Sequence, residues 1–372
     1  MSSSNQSMGF EPWLKENQTI RYAAAFITLL IMCIGIVGNS LTILVILKSP
    51  RIRNVASAFI ISLGAADLLF CIAVLPFNAS RFLNINWVQY PILCSMVPFF
   101  QYGNIGISLL FITMITINRY IMIVHSSLYS IVYRPIWITS MIILCLIISF
   151  GMLVPTLLGK WGKFENDPKL GSCSIISDES GRSSKFALFI TGFIIPCIVI
   201  VCCYTSIFWV VRKSEQRMRR HQLSTQSDPT VTNMQSIKRK LSEWRITKMV
   251  LAIFLSFVLC YLPITITKTS DPDVQYPALL LIAYIMVYAS ACVNPIIYVI
   301  MNKQYRKAFE SVLSVGCCEK ATKRVPVLRS ISKRLQPHGK NQEDRGFGTT
   351  VSHVSSIALE SLDYNNRVSS IA

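Results

Sequence analysis

The chain has 372 residues, of which 52% are hydrophobic and only 15% charged, and its formal net charge is +18. Soluble globular chains carry about 25% charged residues. This composition, with a mean hydropathy of +0.49, excludes an ordinary cytosolic enzyme, a disordered chain and a disulfide-stapled mini-protein, and leaves a multi-pass membrane protein.

In chain order, residues 1–21 are polar, carry no cleavable signal peptide and read as a tail. Seven apolar stretches follow, near Tyr22–Leu47, Val55–Ala79, Ile92–Val124, Pro135–Leu158, Phe186–Val211, Arg245–Ile266 and Tyr276–Met301. A bilayer core needs about 20 apolar residues of helix. None of the stretches alternates with period two, so helices are expected rather than barrel strands. After Met301, apolar residues at helical spacing run to Leu313, and 302–316 reads as an amphipathic helix on the inner leaflet. Residues 317–372 are rich in Ser and Thr and read as a disordered tail, in which Val-Ser-Ser-Ile-Ala stands at 354–358 and again at 368–372. The expected fold is an all-α membrane protein, a seven-transmembrane helix bundle over 22–301 with a short amphipathic juxtamembrane helix.

Seven spans put the termini on opposite sides. The first, third and fifth loops plus the C-terminal tail hold 26 Lys+Arg against 9 Asp+Glu, while the N-terminal tail and the other three loops hold 9 against 8. Positive charge marks the cytoplasmic side, so the N-terminus is expected outside. The sequons at Asn5 and Asn17 then fall in the exterior tail as glycosylation candidates, and a third, at Asn78, lies at the membrane edge. The basic excess flanks membrane ends, where anionic lipid headgroups are the natural partner, so nucleic acid is not expected.

Of twelve cysteines, eight lie within spans, as small buried hydrophobes. Cys94 and Cys173 fall on the exterior, oxidising side, where a disulfide is expected. Cys317 and Cys318 follow the amphipathic stretch, and palmitoylation or free thiols are the alternatives there.

Asp67 is the one acid deep in a span. A carboxylate at a helix centre costs about 2.5–3.5 kcal/mol on insertion scales. Either it is protonated and hydrogen-bonded, or it serves a cation site. Asn39, Ser108 and Asn294 stand at comparable depth and offer oxygen ligands to sodium. Arg119, in Asn118-Arg119-Tyr120, ends the third span, with Glu243 and Tyr204 as alternative partners, which makes a bistable element. The alternative is an arginine snorkelling to the headgroups. Pro76, Pro155, Pro196, Pro263 and Pro295 mark helix distortions.

Asn39, Asp67 in Ala65-Ala66-Asp67-Leu68, Arg119 with Tyr120, Trp137, Pro196 with Tyr204, Pro263 and Asn294-Pro295-Ile296-Ile297-Tyr298 recur in order, one group to each span. With Cys94 and Cys173, this set resembles the rhodopsin-like (class A) G protein-coupled receptors over roughly residues 22–316. Asn118-Arg119-Tyr120-Ile121-Met122-Ile123-Val124-His125 further resembles the trapped-in-endoderm and Moody orphan group, and also melatonin receptors, which usually carry Ala where Pro295 stands. The resemblance implies a receptor, with no enzymatic activity, that responds to an exterior agonist and admits a heterotrimeric G protein as the sixth span swings out about Pro263. It implies a switch built from Asn118, Arg119, Tyr120, Tyr204, Glu243, Asn294, Pro295 and Tyr298. It implies sodium as an allosteric modulator at Asp67, arrestin as a partner of the phosphorylated tail, and roles in cell migration or epithelial barrier formation. Two positions depart from the class: Asn118 replaces an acid that restrains the arginine, and Tyr261 replaces a tryptophan at the kink.

Gln101 stands where amine receptors carry Asp, and Tyr288 where opsins carry the retinal lysine, so neither ligand is expected. Phe100, Gln101, Asn104, Tyr261, Lys268, Tyr284 and Tyr288 are expected to line the ligand pocket. Arg81 and Lys268 near the mouth favour a lipid or small acidic agonist, with a solvated charge as the alternative and a peptide open. In the third interior loop, Arg217, Arg219 and Arg220 are candidate G-protein contacts. A transporter or channel is the competing class, but the chain shows no inverted repeat or ring of charged pore residues.

Overall fold

A computed structural model describes residues 9–83, 87–224 and 231–322; within these, the side chains of 51, 214, 215, 217–224, 231–245 and 313–322 lie outside the description. Residues up to Val315 form one compact unit and 316–372 a second, of which only the end of one helix is described.

Seven helical segments are long and apolar enough to cross a membrane: Gln18–Lys48, Val55–Phe82, Pro91–Val124, Pro135–Leu157, Lys185–Lys213, Ile246–Ser270 and Pro277–Met301. They are built from α2 (Gln18–Lys48), α3 (Val55–Ala73) with α4 (Leu75–Phe82), α5 (Pro91–Val124), α7 (Pro135–Gly151) with α8 (Val154–Leu157), α9 (Lys185–Phe189) with α10 (Ile195–Ser224), α11 (Val231–Ser270) and α12 (Pro277–Met301). The short α1 (Phe10–Glu16) and α6 (Tyr129–Val132) lie in the N-terminal tail and the loop after α5, and α13 (Lys303–Thr322) follows the last span.

Local chemistry sets these ends. Asn54 caps α3 reciprocally: its Oδ1 accepts from the Ser57 N–H at 3.0 Å, and Ser57 Oγ accepts from the Asn54 N–H at 3.3 Å. Pro91, Pro135 and Pro277 open their helices, where a missing N–H costs nothing. The second span breaks at Val74, just before Pro76, and the fourth after Gly151, just before Pro155. In the fifth span, Ile190–Ile194 widens into a π-helical turn directly before Pro196. Pro98 also lies inside a span, α5, and escaped the sequence reading.

The third and seventh spans are the most buried, at 56% of their apolar windows, and the fifth the least, at 11%. α5 packs on α3, α7, α10 and α11, while α12 packs on α2, α3 and α11. Small residues let helices approach where no water drives them together. Gly103 in α5 receives the Phe150 ring, and a Cβ at Gly106 would lie 2.6 Å from Ser149 Oγ. Ser149 in turn donates to the Gly103 carbonyl across the interface at 2.8 Å.

The helical bundle stands as expected, with one small sheet added to it. The loop after α8 forms a hairpin, β1 (Lys163–Asp167) against β2 (Ser172–Ile176), antiparallel with Asn166 opposite Cys173. Cys173 is bonded to Cys94 at the start of α5, as expected. The hairpin lays Phe164 and Ile175 on Leu153. The described part of the N-terminal tail holds a short helix. α1 buries Phe10 and Leu14 completely or nearly so, and the Phe10 N–H donates to the Lys169 carbonyl at the hairpin turn. That contact needs Gly171 (φ 57°), because a Cβ there would meet Glu11 at 2.8 Å. Lys169 also bonds Asp273 at 2.6 Å, and the carboxylate pushes the ammonium pKa up.

The bond closes 79 residues of sequence separation, for which chain entropy gives about 4–5 kcal/mol. Cys94→Ser with Cys173→Ser is expected to lose stability on that scale. Thermal unfolding of detergent-purified protein, with and without reductant, checks it: reductant should lower the wild-type midpoint and leave the variant's unchanged.

Candidate functional site

Three sets of polar side chains occupy the bundle at three depths. The middle set begins with a backbone defect. Pro295 has no N–H, so the carbonyl of Ala291, four residues back in α12, loses its helical donor. Asn39 Nδ2 donates to that carbonyl at 2.8 Å and to Gly35 of its own helix at 2.9 Å. Gly38 permits the approach, since a Cβ there would lie 3.0 Å from the Pro295 ring. Beside this repair, Asn294 Nδ2 donates to Asp67 Oδ2 at 2.9 Å and Ser108 Oγ to Asp67 Oδ1 at 3.4 Å. Asn104 approaches the same carboxylate, which is 3% exposed. Asp67, Ser108, Ser256, Ser290 and Asn294 border a cavity with about 10 Å³ of room for the centre of a water-sized particle, close to one water. Asp67, Ser108 and Asn294 thus converge. Asn39 Nδ2 is taken by the carbonyl freed by Pro295, and its Oδ1 is buried with no hydrogen-bond partner among the described residues.

The second set lies at the C-terminal face of the bundle. Arg119 is 2% exposed and shares a crevice with Tyr298, Tyr305, Ile246 and Met249. Tyr204 donates to the Thr247 carbonyl at 3.2 Å, which ties the fifth span to the sixth. Asn118 donates to the Tyr129 hydroxyl at 3.4 Å. It therefore secures the α5–α6 loop and brings no negative charge to Arg119. Tyr120 turns outward onto His125, at 3.1 Å. The Tyr298 hydroxyl is buried without a partner, and its ring packs on Tyr305. The side chains of Glu243, Arg217, Arg219, Arg220, Cys317 and Cys318 lie outside the described residues.

The third set surrounds a cavity of about 400 Å³ near the N-terminal face, within the range of small-molecule sites. Gln101, Tyr261, Lys268 and Tyr284 stand on its wall. Three other expected residues do not. Phe100 turns toward the fourth span and meets Phe99 and Phe150 edge-on. Asn104 faces Asp67. Tyr288 is buried behind Tyr284, with their rings stacked at 6.2 Å. The wall also includes Tyr102, Lys185, Phe193 and Ile175, which the sequence reading missed. Lys185 begins the fifth span and had been counted only as loop charge. Arg81 does not open to the mouth. Its guanidinium lies over Phe10 at 5.0 Å and Tyr284 at 5.7 Å and donates to the Leu170 carbonyl. Lys268 approaches Tyr284 at 5.3 Å.

One contact links the upper two sets. The Tyr261 hydroxyl, on the cavity wall, meets Ser290 Oγ at 3.1 Å, and Ser290 borders the cavity beside Asp67. The hydroxyl that a tryptophan would lack therefore joins the sixth span to the seventh.

Of the glycosylation candidates, Asn5 lies outside the described residues, and the amide nitrogen of Asn17, the atom that would carry a glycan, donates to the Trp13 carbonyl. Asn78 is buried and donates to Gln101, which holds that side chain at the cavity.

Asn39→Ala leaves the Ala291 carbonyl without a donor. It is expected to cost about 1–2 kcal/mol, read as a lowered unfolding midpoint. Pro295→Ala in the Asn39→Ala background should recover part of that loss, because the helical N–H returns.

Comparison with known proteins agrees with this geometry. The family described as 7 transmembrane receptor (rhodopsin family) matches residues 38–298. The chain is 49% identical over 347 residues to the "G-protein coupled receptor moody" of Drosophila melanogaster, covering 80% of this chain and 52% of that protein. It is 38% identical over 304 residues to "Protein trapped in endoderm-1" of the same organism, covering 78% and 77%. The chain thus spans about half the length of the Moody relatives it matches. Squid rhodopsin shares the fold, with a TM-score of 0.71 at 23% identity over 81% of this chain and 88% of that one. The competing transporter reading finds no support in these likenesses, and the chain belongs to the rhodopsin family of seven-transmembrane receptors.

Proposed function

We propose that this chain is a plasma-membrane receptor, N-terminus outside, that carries the signal of an extracellular anionic ligand to heterotrimeric G proteins. The single observation behind the ligand class is the charge of the outer cavity. Its wall carries Lys185 and Lys268 and no aspartate or glutamate. A cation in a partly dry cavity attracts an anionic group more strongly than one in water. A lipid headgroup and a small acid are both of this class.

The orientation rests on the excess of basic residues on the other side of the membrane. The G-protein partner rests on family membership and on relatives named as G-protein coupled receptors. Arg119 and Tyr298, in one crevice at the C-terminal face, are the residues that such a partner would meet as the sixth span moves away. Tyr204 on Thr247 and Tyr261 on Ser290 oppose that movement, and a ligand that binds the open state more tightly shifts the balance. Sodium, held by Asp67 with Ser108 and the Asn294 side-chain oxygen, would add to the closed state. Phosphorylation of the Ser-rich tail would recruit arrestin, and palmitoylation of Cys317 and Cys318 would fix the tail's start to the inner leaflet. Cell migration and epithelial barrier formation are the physiological settings that the trapped-in-endoderm and Moody likeness suggests.

G-protein activation in cells, with no added ligand and across the main Gα classes, tests the reading. Asn118 brings no acid to Arg119, so basal activation above background is expected, and Arg119→Ala should abolish it at equal surface expression. Activation that survives Arg119→Ala would contradict the role assigned to Arg119.

A further inference from the structure

The outer cavity has two ends of different chemistry. One end carries Lys268 and Thr269, at the outer end of the sixth span, while Lys185 stands one turn before Leu188 on the fifth. The other, between the fourth and fifth spans, is formed by Met152, Leu188, Phe189 and Gly192, with no charge among them. The mouth is roofed over its remaining sides. The hairpin lays Phe164 and Ile175 on Leu153, and α1 wedges Phe10 between Arg81 and Tyr284.

The side wall between the fourth and fifth spans is thin. Both spans pack mainly on the third rather than on each other, and they are the least buried of the seven. They meet through Thr191 Oγ1 on Met152 Sδ at 3.3 Å, and a methionine side chain is flexible and readily displaced. Beside this contact lies open space at Gly192. Gly192 lines the cavity inside the π-helical turn, and a Cβ built on it would meet nothing within 4 Å. The other glycine among the described lining residues, Gly106, packs closely on Ser149.

We propose that the gap at Gly192 is the port through which the acyl chain of a single-chain anionic lipid reaches the cavity, with its headgroup on Lys268. This rests on the anionic-ligand reading and names the ligand's source as the outer leaflet. A charged head at the lysine end and an apolar chain directed between two lipid-facing helices match the two ends of the cavity. A chain in that port stays in an apolar medium throughout its passage.

The test uses the full chain in phosphatidylcholine nanodiscs, with 18:1 and 8:0 lysophosphatidic acid as probes. Gly192→Trp fills the port. It should weaken binding of the 18:1 probe at least tenfold and leave the 8:0 probe within twofold. Lys268→Gln should weaken both at least tenfold. Equal effects of Gly192→Trp on both probes, or none on either, overturn the port while a Lys268→Gln loss keeps the anionic reading. No binding to the wild type, or none lost in Lys268→Gln, overturns the anionic reading and the port with it. Gly192→Cys supplies a check that needs no ligand and little change in volume. A maleimide carried on a fatty chain in the bilayer should modify residue 192, read by peptide mass, and an impermeant aqueous maleimide should not. The reverse selectivity overturns the port.

Discussion

The carbonyl that Pro295 leaves without a donor is the constraint on which the centre of this bundle depends. A buried carbonyl in a membrane has no water to turn to, so a partner must come from another helix. Asn39 supplies it from the first span, and Gly38 lets the two helices close to the required distance. The kink that remains sets Asn294, the preceding residue, on Asp67. First, second and seventh spans are thereby joined by polar contacts, and Ser108 adds the third. None of these contacts is a generic apolar one, so the register of four helices is specified rather than merely permitted.

From this centre, two hydroxyls reach in opposite directions. Ser290 meets Tyr261 and so touches the outer cavity. Tyr204, nearer the other face, holds the sixth span through Thr247. Both bonds join the sixth span to a neighbour, and both lie on the N-terminal side of Pro263, the residue at which that helix lacks a donor of its own. A helix that lacks one backbone bond and is tied to its neighbours in part by side-chain bonds can exchange those bonds when it moves. That is the form expected of an element with two states separated by a small free energy. Coupling between distant sites is typically about 1–3 kcal/mol, comparable to one or two such bonds.

Much of this was legible in the sequence, for physical reasons. About 20 apolar residues must span a bilayer, so the seven spans were fixed to within a few residues. Asp67 and Arg119 are too costly in a membrane to be incidental, and Cys94 with Cys173 followed from sidedness. The hairpin was not legible, since Lys163-Phe164-Glu165-Asn166-Asp167 has little strand propensity and is held by a disulfide and its neighbours. Nor was α1, whose Phe10 and Leu14 find their partners on the hairpin turn and the second and seventh spans. Spacing locates a residue along a helix, but which way it faces depends on the neighbours. For this reason Phe100 and Tyr288 left the cavity wall and Lys185 entered it. Backbone acceptors are invisible in a sequence, which is why the donation from Asn39 to the Ala291 carbonyl was not legible.

The central claim is that the Tyr261–Ser290 bond holds the sixth span in the closed arrangement. The direct measurement is the distance distribution between spin labels on the C-terminal-face ends of the third and sixth spans, in nanodiscs without ligand, for the wild type and Tyr261→Phe. Loss of one hydrogen bond of about 1 kcal/mol is expected to move the equilibrium about fivefold toward a longer-distance population. Identical distributions in the two proteins would contradict the claim.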